Sequence, residues 1–125
     1  MILSLDHQQR LNLVGLLGTQ RTTVGEMRTL WKLMDRIDLT EDERHTIGYK
    51  VETVNGAEVS MWDRTRKLEP KGFEFTDAEA ARVRKVIEEW PHFFTSTDRL
   101  WLEPLLAQLP AAAENGQPKQ LQQLQ

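Results

Sequence analysis

Apolar residues in the first third of the chain recur at steps of three and four. From Ser4, a good N-cap residue, Leu11, Val14 and Leu17 follow at spacings of three, and Leu13 and Leu16 widen the stripe. Gly18 stands where a left-handed residue ends a helix, so the pattern predicts a helix over 4–17. A second helix, over 23–38, begins at Thr23-Val24-Gly25-Glu26, in which a threonine cap and a glutamate three residues on can satisfy each other's backbone donors. Its stripe is Val24, Met27, Leu30, Trp31, Met34 and Ile37, with Arg28, Lys32, Asp35 and Arg36 elsewhere on the cylinder. Thr40-Glu41-Asp42-Glu43 starts a short third helix over 40–46, its acidic residues placed where the helix dipole favours them.

From Tyr49 the period changes from helical to two. Strands are predicted over 49–54 and 57–62, joined by Asn55-Gly56, two residues able to take the positive φ of a type I′ hairpin turn. Gly72-Phe73-Glu74-Phe75 reads as a further short extended segment. Thr76-Asp77-Ala78-Glu79 then opens a helix over 76–90, with Ala81, Val83, Val86, Ile87 and Trp90 on its apolar side and Pro91 closing it. A last helix over 96–109 carries Leu100, Trp101, Leu102, Leu105, Leu106 and Leu109; Pro104 within it implies a kink or a junction of two short helices. Residues 110–125 are Ala- and Gln-rich with two prolines and read as a disordered tail.

The expected fold is therefore α+β: one globular domain over 1–109, in which four to five helices pack on one face of a small antiparallel sheet containing the Asn-Gly hairpin. A chain of 125 residues that is 39% hydrophobic and carries a formal charge of −3 can bury a modest core without disulfides or metals. It has no cysteine, which excludes disulfide frameworks, thiolate nucleophiles and cysteine-based metal sites. Asp6, His7 and Arg10 interrupt the start before any apolar run of signal-peptide length, and no stretch reaches the roughly 18 apolar residues of a membrane span. A cytoplasmic location and no membrane association are expected.

Candidate chemistry is sparse. His7, His45 and His92 form no His-x-x-x-His pair, and His45, with Glu41 and Asp42 at i−4 and i−3, is explained by surface charge pairing as well as by metal ligation. The seven glycines never approach phosphate-cradle spacing, and no serine sits in a nucleophile elbow. No catalytic residue, metal or cofactor is expected, and the chain reads as non-enzymatic.

One segment mixes aromatic and basic residues: Trp62, Arg64, Arg66 and Lys67, followed by Lys71. The stretch 64–75 has four basic and two acidic residues, whereas 39–63 has two basic and six acidic. Such a loop can meet phosphate through its cations while the tryptophan stacks on a base. The favoured reading is plainer: a solvated connection whose tryptophan ends a strand inside the core. Trp101 is a candidate interface anchor should it lie at the surface, because tryptophan is enriched at binding hot spots. A winged-helix reading fits poorly, since the helix before the hairpin opens with Glu-Asp-Glu, which a phosphate backbone repels.

Leu3-Ser4-Leu5, the amphipathic second helix, Leu39-Thr40-Glu41-Asp42-Glu43, the hairpin ending Val59-Ser60-Met61-Trp62, and Phe73-Glu74-Phe75-Thr76-Asp77-Ala78-Glu79 with a Leu-rich last helix resemble short uncharacterised bacteriophage and prophage proteins. The resemblance implies a phage or prophage setting and an action inside the host cell; it implies no activity. Together with four Trp and four Met in so small a chain, the expected function is protein–protein binding, by self-association or to a host target. The alternative is nucleic-acid or nucleotide binding through the basic loop at 64–71, in a role countering host defence.

Overall fold

A computed structural model describes residues 1–90 and 94–110. The fold is α+β: β1 (Ile2–Leu5), α1 (His7–Gly18), α2 (Val24–Ile37), α3 (Glu41–Thr46), β2 (Lys50–Val54), β3 (Ala57–Met61), β4 (Lys71–Glu74), α4 (Asp77–Glu88) and α5 (Arg99–Gln108), the last preceded by a 3-10 turn over Ser96–Asp98. His92 and, of the tail expected over 110–125, all but Pro110 lie outside the described residues. No helix among the described residues is long and apolar enough to cross a membrane.

The chain starts differently from the sequence expectation. Residues 2–5 form a strand rather than a first helical turn, with Leu3 and Leu5 fully buried while Ile2 and Ser4 face outward. The first helix is capped at Asp6, whose carboxylate accepts from the Gln9 amide at 2.8 Å while the Gln9 side chain accepts from the Asp6 amide at 2.9 Å. The four-residue alternation is masked in sequence because it runs directly into a helical stripe.

The sheet also differs. β1 pairs antiparallel with β4, Leu3 opposite Phe73, and β2 pairs with β3, so among the described residues two separate two-stranded sheets replace the expected single one. Phe73 and Phe75 bring their rings inward with Leu3 and Leu5, and this burial ties the N-terminal strand to the far side of the chain. In the β2–β3 sheet Val54 stands opposite Ala57, and Asn55 and Gly56 between them have φ of 52° and 82°.

At the centre lies α1, which packs against α2, α4, α5 and β1. Leu13 and Leu17 of α1, Leu30, Leu33 and Ile37 of α2, Val83 and Ile87 of α4, and Trp101 and Leu105 of α5 make one continuous core. The buried line of α2 is therefore rotated from the sequence stripe: Leu33 is inside, while Val24 and Trp31 are 65% and 49% exposed. In α4 Ala80 is buried rather than Ala81. Pro104 lies inside a continuous α5. The helical bond it cannot make would go to the carbonyl of Leu100, a residue 85% exposed, so water can serve that carbonyl.

A polar tie joins the first three helices. Arg10 is 1% exposed, yet every part of its guanidinium is engaged: Nε donates to the Ile37 carbonyl at 2.8 Å, Nη2 to the Asp38 carbonyl at 2.9 Å, and both Nη atoms to the Glu43 carboxylate at 2.9 and 2.8 Å. This fork joins α1 to the end of α2 and to α3, and it holds the Glu43 carboxyl down to about 2, chiefly through the Arg10 hydrogen bonds.

Candidate functional site

Two surfaces could carry a function: the hairpin and the basic loop beside it. Every residue of β2 and β3 is exposed. Because side chains alternate along a strand, Val54, Ala57, Val59 and Met61 share one face with Lys50 and Glu52, the last two ion-paired at 3.0 Å. The hairpin is held at its base. The Tyr49 amide donates to the Arg44 carbonyl at 2.8 Å, the Asp63 amide to the Ile47 carbonyl at 2.9 Å, and the Arg44 guanidinium lies 5.5 Å from the Tyr49 ring centre. Gly48, at φ 68°, supplies the turn from α3 into the hairpin.

The two sheets treat their edges differently. In β1–β4 the outward backbone of Ser4 is closed by Gln108, whose carboxamide accepts from the Ser4 amide and donates to its carbonyl. The outward carbonyl of Glu74 on β4 accepts from Arg36 at 3.0 Å. In the hairpin, a two-residue turn makes Val54–Ala57, Glu52–Val59 and Lys50–Met61 the hydrogen-bonded pairs. The amides and carbonyls of Val51 and Thr53, and of Glu58 and Ser60, consequently point away from the partner strand. Among the described residues no side chain hydrogen-bonds to any of them.

Residues 62–70 fold back toward the start of α1 and enclose with it a cleft of about 520 Å³, lined among others by Asp6, His7, Trp62, Arg64, Lys67 and Glu69. Trp62 is half-buried; the Arg64 guanidinium lies over its ring at 4.0 Å and the His7 imidazole meets it edge-on at 6.5 Å. Burial lowers the pKa of His7 below its ordinary 6.5; Arg64 and Lys67 push the same way and Asp6 opposes them. Near neutral pH this imidazole is uncharged, and its Nδ1 is buried without a hydrogen-bond partner among the described residues.

Of the sequence candidates, the structure brings together Trp62, Arg64 and Lys67. Arg66 turns to Asp63, with Nε 3.2 Å from the carboxylate, and its guanidinium lies against Gly48. The Asp63 carboxylate also accepts from the Thr65 hydroxyl and amide at 2.6 and 2.9 Å, and these bonds lower its pKa. Lys71 opens β4, its ammonium 5.7 Å from the Phe73 ring centre, outside the cleft. Trp101 is in the core, its Nε1 donating to Asp98 at 3.0 Å and its ring edge-on to Phe94, so it is no surface anchor. His45 is exposed on α3, and no group of three or more His, Asp or Glu among the described residues could hold a metal.

Sequence reasoning missed Asp6 and His7 as neighbours of the loop. Only the fold-back of 62–70 onto α1 joins them, and no local pattern encodes that closure. Compared with protein-family models, curated proteins and solved structures, the chain matches none.

Proposed function

We propose that this chain works by binding protein, with the β2–β3 hairpin as its working part, in the phage or prophage setting that the sequence resemblance suggests. One contrast carries the reading: in the β1–β4 sheet side chains close each edge in part, at Ser4 and at the Glu74 carbonyl, whereas among the described residues no side chain closes either edge of the hairpin, which is held at its base. An isolated two-stranded hairpin is marginal in water, and an uncovered edge is a template for another strand. Val54, Val59 and Met61, each about two-fifths exposed on one face, add apolar contact to the backbone bonds such a partner would gain.

A photo-activatable residue at Met61, introduced in living cells that express the chain, tests this. Irradiation should yield discrete adducts, and the same residue at Glu41 on α3 should yield none. Absence of adducts from the hairpin would contradict the reading.

A second reading, nucleic-acid binding, draws on the convergence of Trp62, Arg64 and Lys67 on one cleft. It is the weaker of the two. Asp6 and Glu69 line the same cleft, Arg66 is paired with Asp63, and the Arg64 guanidinium already occupies one face of the Trp62 ring.

A further inference from the structure

The hairpin has two open edges, and they are not equivalent. Pairing between copies about a two-fold axis places each strand antiparallel to its counterpart, and only outward-pointing backbone groups can exchange hydrogen bonds. On β2 those groups belong to Val51 and Thr53. Joining Val51 to Thr53 of a second copy sets Glu52 directly against the Glu52 of that copy, at the closely spaced position where like charges destabilise. Joining Val51 to its own counterpart instead would ask Tyr49 to bond Thr53, but the Tyr49 amide is already given to the Arg44 carbonyl.

On β3 the outward groups belong to Glu58 and Ser60. A two-fold axis at Val59 puts Glu58 opposite Ser60 of the second copy and Ser60 opposite its Glu58, so the amides and carbonyls of both are used. Each carboxylate then faces a hydroxyl rather than another carboxylate. On the opposite face Ala57, Val59 and Met61 meet Met61, Val59 and Ala57, an apolar row flanked in each copy by Val54 and by the Lys50–Glu52 ion pair. Ala57, Val59 and Met61 already share a face of the single hairpin, and Val59 and Met61 are exposed there.

We infer that the partner at this edge is a second copy of the chain, with β3 pairing antiparallel to β3 about a two-fold axis at Val59 to make a four-stranded sheet. The inference rests on the reading of the hairpin as the protein-binding part and names its occupant. The β3 register about Val59 uses both outward residues of its strand without setting like charges together, which the β2 register about Glu52 does not.

The chain has no cysteine, so a single introduced one reports the geometry. Val59 and its counterpart would form a non-hydrogen-bonded pair with Cα atoms about 4.5 Å apart, inside the range a disulfide spans. Under mild oxidation Val59→Cys should convert to a covalent dimer on the order of tenfold faster than Val51→Cys, whose side chain lies on the other face and the other strand. In sedimentation the wild-type chain should dimerise as concentration rises. Ser60→Pro, which removes an outward amide the hairpin itself does not use, should remain a monomer, as should Val59→Lys, which sets two cations together at the axis. Circular dichroism matching the wild type shows that these variants fold. A wild-type chain that stays monomeric, or cysteine variants that oxidise at equal rates, overturns the inference. The cellular cross-link separates the two claims: an adduct of twice the chain mass supports both, an adduct to a different protein overturns self-pairing while the binding reading stands, and no adduct overturns both.

Discussion

The side-chain carboxamide of Gln108 hydrogen-bonds to both backbone groups of Ser4, accepting from its amide at 2.7 Å and donating to its carbonyl at 2.9 Å. In effect the end of α5 supplies the next rung of the β1–β4 sheet, and the edge of β1 is closed where it would otherwise be sticky. Gln108→Ala should cost about 1 kcal/mol of stability, because these bonds are partly exposed to water. Gln108→Glu should cost more, since a carboxylate can accept from the Ser4 amide but repels its carbonyl. Urea unfolding at neutral pH measures both.

Arg10 and Glu43 set the acid stability of the helical body. Glu43 sits at about 2 in the folded chain against an ordinary 4.5, so it binds fewer protons folded than unfolded above that low value. Its contribution is complete above about pH 4.5 and is lost as pH falls toward 2, and after allowance for the solvent that reaches its carboxylate it amounts to about 2 kcal/mol. Glu43→Gln should therefore lower stability at pH 7 and flatten its decline between these pH values. Arg10→Met removes the other half of the fork and should cost about 3–5 kcal/mol at pH 7, as breaking a buried pair does. Urea midpoints at pH 7 and pH 3 separate these outcomes.

His7 titrates in a different window. Burial depresses its pKa, so the unfolded chain takes up the proton first, and the contribution of His7 is present above pH 6.5 and is lost as pH falls through the lowered folded value. An NMR titration should place the His7 imidazole below 6.5. Arg64→Ala and Lys67→Ala should each raise it, because each removes a cation that disfavours the charged ring.

The loop cleft makes its own prediction. With Arg64 and Lys67 balanced by Asp6 and Glu69, retention on single-stranded DNA should be weak and confined to low salt, and Arg64→Glu should abolish it. Retention that persists at physiological salt and is lost in Arg64→Glu would favour the nucleic-acid reading over the hairpin.

Much of the helical plan was legible in sequence, because a helix start is a local chemical event. Thr40 with Glu43 and Thr76 with Glu79 form reciprocal caps, and Thr23 accepts from the Glu26 amide. The equivalent box at Asp6 and Gln9 was hidden by Ser4, a good cap residue that instead lies in a strand. The pairing of β1 with β4 was not legible: Leu3 and Phe73 lie far apart in sequence, and no local pattern around either signals the other. At the candidate site, Trp62, Arg64 and Lys67 were visible as neighbours in sequence. The burial of Trp101 was not, because the apolar stripe of one helix does not say which of its residues point inward once a 3-10 turn and Asp98 fix the helix's rotation. The ion pair that ties α3 to α1 joins Arg10 to Glu43, and nothing in the local pattern around either residue signals the other.

The most direct test of the open hairpin edge is amide hydrogen exchange, comparing Ser4 with Glu58 and Ser60 in the same sample. All three amides point away from their own sheets, but among the described residues only that of Ser4 is capped by a side chain. In dilute solution the Ser4 amide should be protected while those of Glu58 and Ser60 exchange freely, and the latter two should slow when a partner strand is added or the chain is concentrated. Protection of Glu58 and Ser60 in the dilute monomer, equal to that of Ser4, would mean the chain covers its own hairpin and would contradict the account.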